Sequence, residues 1–170
     1  MIFVTTGTCE PFDRLLRAVD SLEVDEELIA QHGHSPVRPR GADCVDFLAY
    51  DELVEVVRRA RIVITHAGVG SLMTALAAGK RPVVVPRRCA FGEAVDDHQV
   101  PFARRAGELG LATLVEEIGT LALAIVECPS DGPVLPSGCS PIEVELRSYI
   151  QDCIGSETPL AMSERSTAWS

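Results

Sequence analysis

The sequence has no surplus of positive charge. Fifteen Lys and Arg stand against 25 Asp and Glu, for a formal net charge of −10. Nucleic acids and anionic membranes are bound through clustered cations, so neither is expected as the main partner. No apolar run approaches the roughly 20 residues that span a bilayer. The opening MIFVTTGT has no basic region and only a short apolar start, which is not a signal-peptide pattern. The six cysteines, at 9, 44, 89, 128, 139 and 153, form no C-x-x-C pair and no His/Cys ligand spacing. Zinc and thioredoxin-type redox readings are therefore poor, and no metal or other cofactor is expected. Together these absences suggest a reduced, cytoplasmic chain, with any membrane association made through a partner. Aromatics make up only 5% of the residues against 46% hydrophobic content, in which Val, Leu, Ala and Ile dominate. That balance suits helices packed on a sheet.

What is present is an alternation. Short apolar runs at 1–5, 27–32, 44–48, 61–65, 81–86 and 111–115 read as strands. Helical spacing occupies 11–22, 51–60, 71–78 and 97–109, with a short helix at 121–126. Asp51 is the expected N-cap of the second helix, Gly79 closes the third and Gly110 stops the fourth. Strands alternating with helices predict an α/β fold: a Rossmann-like parallel sheet with helices on both faces, joined by right-handed crossovers. Its length suits one domain, expected over 1–127. From Cys128 onward, Pro, Gly and Ser accumulate. Residues 128–170 read as a flexible tail with one amphipathic helix at 142–154 and a disordered end.

In parallel sheets ligands gather beyond the carboxyl ends of the strands. Three loops fall there. The first candidate is HAGVGS, residues 66–71. Gly68 and Gly70 let the backbone turn sharply and approach a ligand, and Ser71 can cap the helix. Unpaired amides near 70–72 would suit a phosphate or diphosphate; the bland alternative is a tight turn with no ligand. Met73 stands where a dinucleotide fingerprint needs its third glycine, and Gly79-Lys80 is followed by Arg81 rather than Ser or Thr. Both named nucleotide motifs are thus excluded. His66 either touches a phosphate or packs beside the glycines.

The second loop holds Thr6, Gly7 and Thr8, a further set of amides and hydroxyls on the same rim. Cys9 and Arg14 are separated by four residues where a phosphatase loop needs five, so Cys9 reads as a bystander. The third loop brings Asp96, Asp97, His98 and Gln99 to a helix start. Acidic residues there can be simple caps, and His98 reads more readily as a hydrogen-bonded loop residue than as a general base. The Gln99 amide can donate and accept, which suits sugar hydroxyls. Together the loops favour a nucleotide-type ligand with a polar moiety.

The segments MIFVTTGT…PFDRL, FLAYDEL, ITHAGVGS, GKRPVVVPRR and FGEAVDDHQ, in this order, resemble the PssE-type donor-binding subunits of two-part bacterial exopolysaccharide glycosyltransferases. The pattern is also similar to the small subunit of the eukaryotic dolichol-linked GlcNAc transferase and, more distantly, to the C-terminal half of MurG. The resemblance covers about residues 1–118. It implies a single GT-B C-terminal-type domain that binds a UDP-sugar, with a separate membrane-anchored subunit holding a lipid-linked saccharide acceptor. Carried over by position, the amides of Val69, Gly70 and Ser71 would hold the α-phosphate, with Thr6, Gly7 and Thr8 across from them. Leu48 would read uracil through its backbone. Gln99 would contact the donor sugar, with Asp97 and His98 beside it. UDP leaves as the acceptor displaces it at the anomeric carbon. The implied mechanism requires no metal, and its general base would lie on the partner.

This sequence departs from the pattern twice. Thr74 stands where many relatives carry a Glu that binds the ribose diol. Ala94 stands where they often carry His. Both departures would suit a non-catalytic nucleotide-sugar-binding module, the alternative to an enzyme subunit that is inactive alone. An epimerase of similar fold is weaker, because that chemistry needs both halves of the cleft in one chain.

Overall fold

The computed structural model describes residues 1–128, all within one compact unit. The expected helix at 142–154 and the tail after it lie outside the described residues. A 6-stranded sheet carries β1 (Ile2–Thr5), β2 (Leu28–Gln31), β3 (Asp43–Val45), β4 (Ile62–His66), β5 (Val83–Val85) and β6 (Thr113–Leu114). Its order is β3-β2-β1-β4-β5-β6 and every pairing is parallel. The order reverses between β1 and β4, which opens a crevice at their carboxyl ends. The helices are α1 (Asp13–Asp20), α2 (Tyr50–Arg59), α3 (Val69–Ala77), α4 (Gln99–Glu108) and α5 (Leu121–Glu127).

Side chains of a strand alternate between faces, and the two faces bury different helices. Ile2, Val4, Ile62, Ile64, Val83 and Val85 pack with Leu15, Leu16 and Val19 of α1 and with Leu121 and Ile125 of α5. Phe3 and Val63, pointing the other way, pack with Val57 of α2 and Ala75 of α3. The sheet is thus covered on both faces, as the near-continuous apolar runs predict.

Several boundaries differ from the sequence expectation, each for a local reason. β3 stops at Val45 rather than at 48. His32 N–H still donates to Val45 O and Gly33 N–H to Asp46 O, both at 3.0 Å. Gly33 then turns away at φ +57°, so the ladder has no further partner. β6 is short because its neighbour β5 ends at Val85, just before Pro86. α2 starts at Tyr50 on an Ala49 N-cap, not on Asp51. The Glu52 carboxylate accepts the Ala49 N–H at 2.9 Å, which is the returning half of a capping box. α3 starts at Val69, two residues before the expected Ser71, with extended Gly68 as its N-cap. Ser71 therefore lies inside the first turn and makes no side-chain cap.

Candidate functional site

The crevice is a cleft of about 570 Å³ at the carboxyl ends of the strands. Its wall from β1 carries Thr5, Gly7, Thr8, Cys9 and Glu10. From β4 and α3 come His66, Gly68, Gly70, Ser71 and Thr74. Tyr50 and Leu53 of α2 also line the cleft. Arg87, Ala94, Val95, His98 and Gln99 complete the lining, with Gln31 of β2. The three loops singled out from the sequence therefore meet on one rim.

They do not contribute equally. At the start of α3 the amides of Val69, Gly70 and Ser71 find no acceptor among the described residues, since the first intrahelical bond is Leu72 N–H to Gly68 O at 3.0 Å. A helix start of this kind leaves a row of aligned donors with the positive end of the helix dipole behind them. The β1 loop differs. Thr6 N–H donates to Gln31 O at 3.1 Å, and the Thr6 hydroxyl donates to the same oxygen at 3.3 Å. Gly7 N–H donates to Thr5 Oγ1 at 3.2 Å. The expected second set of diphosphate donors is thus largely spent inside the protein; Thr8 also lines the cleft, with its hydroxyl 4.0 Å from Cys9 Sγ.

His66 lies between the two turns. A Cβ on Gly7, which has φ +77°, would fall 2.5 Å from His66 Cε1, and one on Gly68 would fall 2.2 Å from Nε2. The glycines let two loop backbones close onto one imidazole. Burial, with the nearby Arg87 cation adding to it, pushes the His66 imidazole down to about 4. It is neutral at physiological pH, and Thr65 Oγ1 lies 3.4 Å from Nδ1.

Gln99 is 7% exposed, and its Oε1 accepts the Arg87 N–H at 3.2 Å. That bond ties the start of α4 to the end of β5. Asp97 does not line the cleft; its Oδ1 accepts the Cys89 N–H at 2.7 Å and shapes the loop. His98 is exposed, and its Nδ1 meets Asp96 Oδ1, which also accepts the His98 N–H at 3.0 Å. Leu48 packs its side chain toward Phe3 and Val57, away from the cleft lining. Thr74 Oγ1 donates to Gly70 O at 2.9 Å, so the hydroxyl's proton is turned onto its own helix.

The structure adds polar groups that the motif reading did not single out. Gln31 is 3% exposed, and among the described residues its Oε1 has no partner. Arg87 is also 3% exposed, and its Nε has none. Buried polar atoms are rarely left unsatisfied, and both of these residues border the cleft. Arg14 braces the loop above them. Its Nε and Nη2 meet Glu93 Oε1 and Oε2 at 2.7 and 2.8 Å, and Nη2 also reaches Pro86 O at 3.0 Å. Among the described residues there is no cluster of His, Cys, Asp and Glu able to hold a metal ion. Nor is any described helix long and apolar enough to cross a membrane.

Residues 1–135 match the glycosyltransferase family 28 C-terminal domain. The chain is 34% identical over 119 residues to the UDP-N-acetylglucosamine transferase subunit ALG13 of Yarrowia lipolytica, covering 61% of this chain and 58% of that protein. It is 34% identical over 122 residues to the human subunit of the same name, covering 64% of this chain and 10% of that one. The chain thus spans less than two thirds of either relative. Among solved structures, the calicheamicin glycosyltransferase CalG4 superposes with a TM-score of 0.56 at 20% identity, covering 91% of this chain and 39% of that one. MurG of Acinetobacter baumannii gives 0.52 at 20% identity, covering 73% and 40%. At such identities these structures support the fold alone.

Proposed function

The chain belongs to the glycosyltransferase family 28 C-terminal domain family, and from that premise we propose that it is the donor-binding part of a UDP-sugar-dependent glycosyltransferase. The acceptor side is supplied by a membrane-anchored partner that presents a lipid-linked saccharide, in exopolysaccharide assembly. The observation that carries this reading is the row of unpaired amides at Val69, Gly70 and Ser71, opening onto a cleft with no acceptor of its own for them. Such donors suit a diphosphate, and the relatives' names point to UDP-N-acetylglucosamine.

In this reading Gly7 and Thr8 face the diphosphate, with Thr6 fixing the turn beneath them. The backbone near Leu48, with Tyr50 and Leu53, receives the base. Gln99 and His98 border the sugar, and Asp97 acts through the loop it shapes. An acceptor hydroxyl oxygen attacks the anomeric carbon, and the bond from that carbon to the β-phosphate oxygen breaks. Its electron pair leaves with UDP, and the hydroxyl proton passes to a base on the partner. Helix-start amides stabilise the departing charge.

Two observations support a missing second half. Tyr50 is 69% and Val95 90% exposed at the cleft mouth, apolar surface that a partner would cover. The cleft's own candidate bases are an exposed carboxylate, Glu10, and two histidines that are already engaged. His66 is neutral but wedged between two backbones, and His98 is engaged with Asp96.

The Thr74 hydroxyl, turned onto Gly70 O, favours a second reading: a nucleotide-sugar-binding module without turnover. One experiment separates them. Calorimetric titration with UDP, GDP and TDP should show UDP preferred by the isolated chain. Transfer to a lipid-linked saccharide should appear only when the partner is added. Binding without transfer in the assembled complex would favour the module, and no preference for UDP would remove both readings.

A further inference from the structure

We propose that Arg87 is the cationic half of an anion site whose other half is the row of free amides at Val69, Gly70 and Ser71, and that this site takes a diphosphate. The anion assignment deepens the nucleotide-sugar reading, but it stands on the charge arrangement and does not need a uridine.

Arg87 follows directly on the strand-ending Pro86 and is 3% exposed. Its Nη2 donates to Thr6 O at 2.5 Å and also to Glu10 O. The ring of Phe12 lies 5.3 Å from the guanidinium carbon. Those contacts fix the fork in place without cancelling its charge, because both acceptors are neutral carbonyls. No carboxylate among the described residues lies within ion-pair distance. Glu93, the nearest buried acid on the same loop, is already taken by both nitrogens of Arg14. Glu10 and Cys9 are exposed, and they and Glu93 act on Arg87 only at longer range. Burial pulls the Arg87 pKa down from its ordinary value, as expected where a cation has lost water and gained no anion. A buried, unpaired charge is costly, and natural proteins rarely keep one without a partner.

The place of this charge identifies the partner. Arg87 lines the cleft that the α3 amides open onto. Its field reaches His66, which sits between Gly7 and Gly68 at the foot of α3. On the β1 side the Thr6 and Gly7 amides are spent on Gln31 O and Thr5 Oγ1. The amides of α3 therefore have no matching row opposite, and the free positive charge on that side is the guanidinium. Among the described residues the buried Nε has no acceptor, so it adds to the uncompensated positive charge of the guanidinium. An elongated anion with two charged groups fits this arrangement better than a monophosphate. One group lies at the helix start and the other at the guanidinium.

The test uses the full chain with inorganic pyrophosphate, UDP and uridine as probes in calorimetry. Arg87→Met should weaken pyrophosphate and UDP by roughly ten- to a hundredfold, the range for losing a charge-assisted hydrogen bond. Uridine should be unaffected. Arg87→Lys, which keeps the charge, should recover most of the loss. Pyrophosphate bound by a folded Arg87→Met as tightly as by the wild type would overturn the proposal. So would an equal loss of uridine and UDP, which would mark Arg87 as a clamp for Thr6 and Glu10 only. Should Arg87→Met not fold, the wild-type Arg87 Nε–H resonance, identified by its absence in Arg87→Lys, decides. Pyrophosphate must shift it; an unmoved resonance at saturation overturns the proposal. If pyrophosphate binds through Arg87 but UDP binds no tighter, the nucleotide reading fails and this site stands.

Discussion

The imidazole of His66 lies so close to the backbone of Gly68 that a Cβ there would fall 2.2 Å from Nε2. A second glycine, Gly7, closes the other side at 2.5 Å and holds φ +77°. Gly68→Ala therefore has to displace the ring or open the β4–α3 turn, and Gly7→Ala adds backbone strain to the same clash. Each is expected to cost about 1–3 kcal/mol, as for other overpacked sites. Urea unfolding measures this. Gly70→Ala is the control, since nothing lies within 4 Å of a Cβ there. It should change stability little.

The same enclosure sets a pH dependence. His66 has a folded pKa of about 4, below the 6.5 of the free side chain. Above 6.5 neither state is protonated and the contribution is complete. As pH falls from 6.5 towards 4 the unfolded chain takes up a proton that the folded chain refuses. Stability drops across that window, by about 3 kcal/mol at its end. Glu26, held at about 2 by Arg61, acts in a lower window. Its stabilisation is present above 4.5 and is lost as pH falls towards 2. Denaturant melts from pH 8 to pH 3 should therefore show two limbs, and His66→Gln should remove the upper one.

How much of this was readable in the sequence varies with range. The apolar run at 61–65 and the glycines after it announce β4 and its turn, because both signals are local. The α3 start lies two residues before Ser71, because an extended glycine performs the capping role that a serine in the right place suggests. The residue types of the β1 loop suggest a row of donors. Only tertiary pairing shows that Gln31 O and Thr5 Oγ1 already hold them. Gln31 and Arg87 carry no motif signal, because the burial of a polar side chain is not a local property. Their positions at strand ends on the shared rim were the available signal. The family resemblance proved sound at the level of the domain family, and the exopolysaccharide role remains part of the proposal.

The loop between β5 and α4 is pinned by Arg14 and Glu93, whose side chains are 17% and 6% exposed. Glu93 Oε2 also accepts the Arg88 N–H at 3.1 Å. Glu93→Gln leaves a mostly buried guanidinium without its charge partner. The expected loss is about 2–4 kcal/mol, approaching the cost of breaking a buried ion pair. Arg14→Met combined with Glu93→Gln should cost less than the sum of the two single variants, because the stranded charge is gone. A double-mutant cycle by chemical unfolding reads this directly.

Backbone and side chain make separable contributions at the head of α3. If its amides hold the diphosphate, Ser71→Ala removes a hydroxyl that caps nothing and should leave UDP affinity within about twofold. Ser71→Pro removes the N–H itself. The first turn of a helix tolerates proline, so α3 should survive. UDP affinity should then fall by roughly tenfold or more, in line with losing a hydrogen bond to a charged group. Equal affinity of Ser71→Pro and wild type in calorimetry would show that these amides face no ligand.

Thr74 offers the converse experiment, a gain. Its hydroxyl donates to Gly70 O and sits on the cleft wall one turn into α3. A carboxylate there can accept from both hydroxyls of a ribose diol, whereas a threonine hydroxyl bound to its own helix offers at most a weak second contact. Thr74→Glu should therefore raise affinity for UDP over 2′-deoxy-UDP, by roughly ten- to a hundredfold in the ratio if two charge-assisted bonds form. The wild type should distinguish the two nucleotides little. Because the new carboxylate also repels a diphosphate, absolute UDP affinity is the poorer readout and the ratio the better one. A ratio near one in a folded Thr74→Glu would mean that the ribose lies elsewhere, and that Gln31, buried in the same cleft with its Oε1 unpartnered, is the next group to vary.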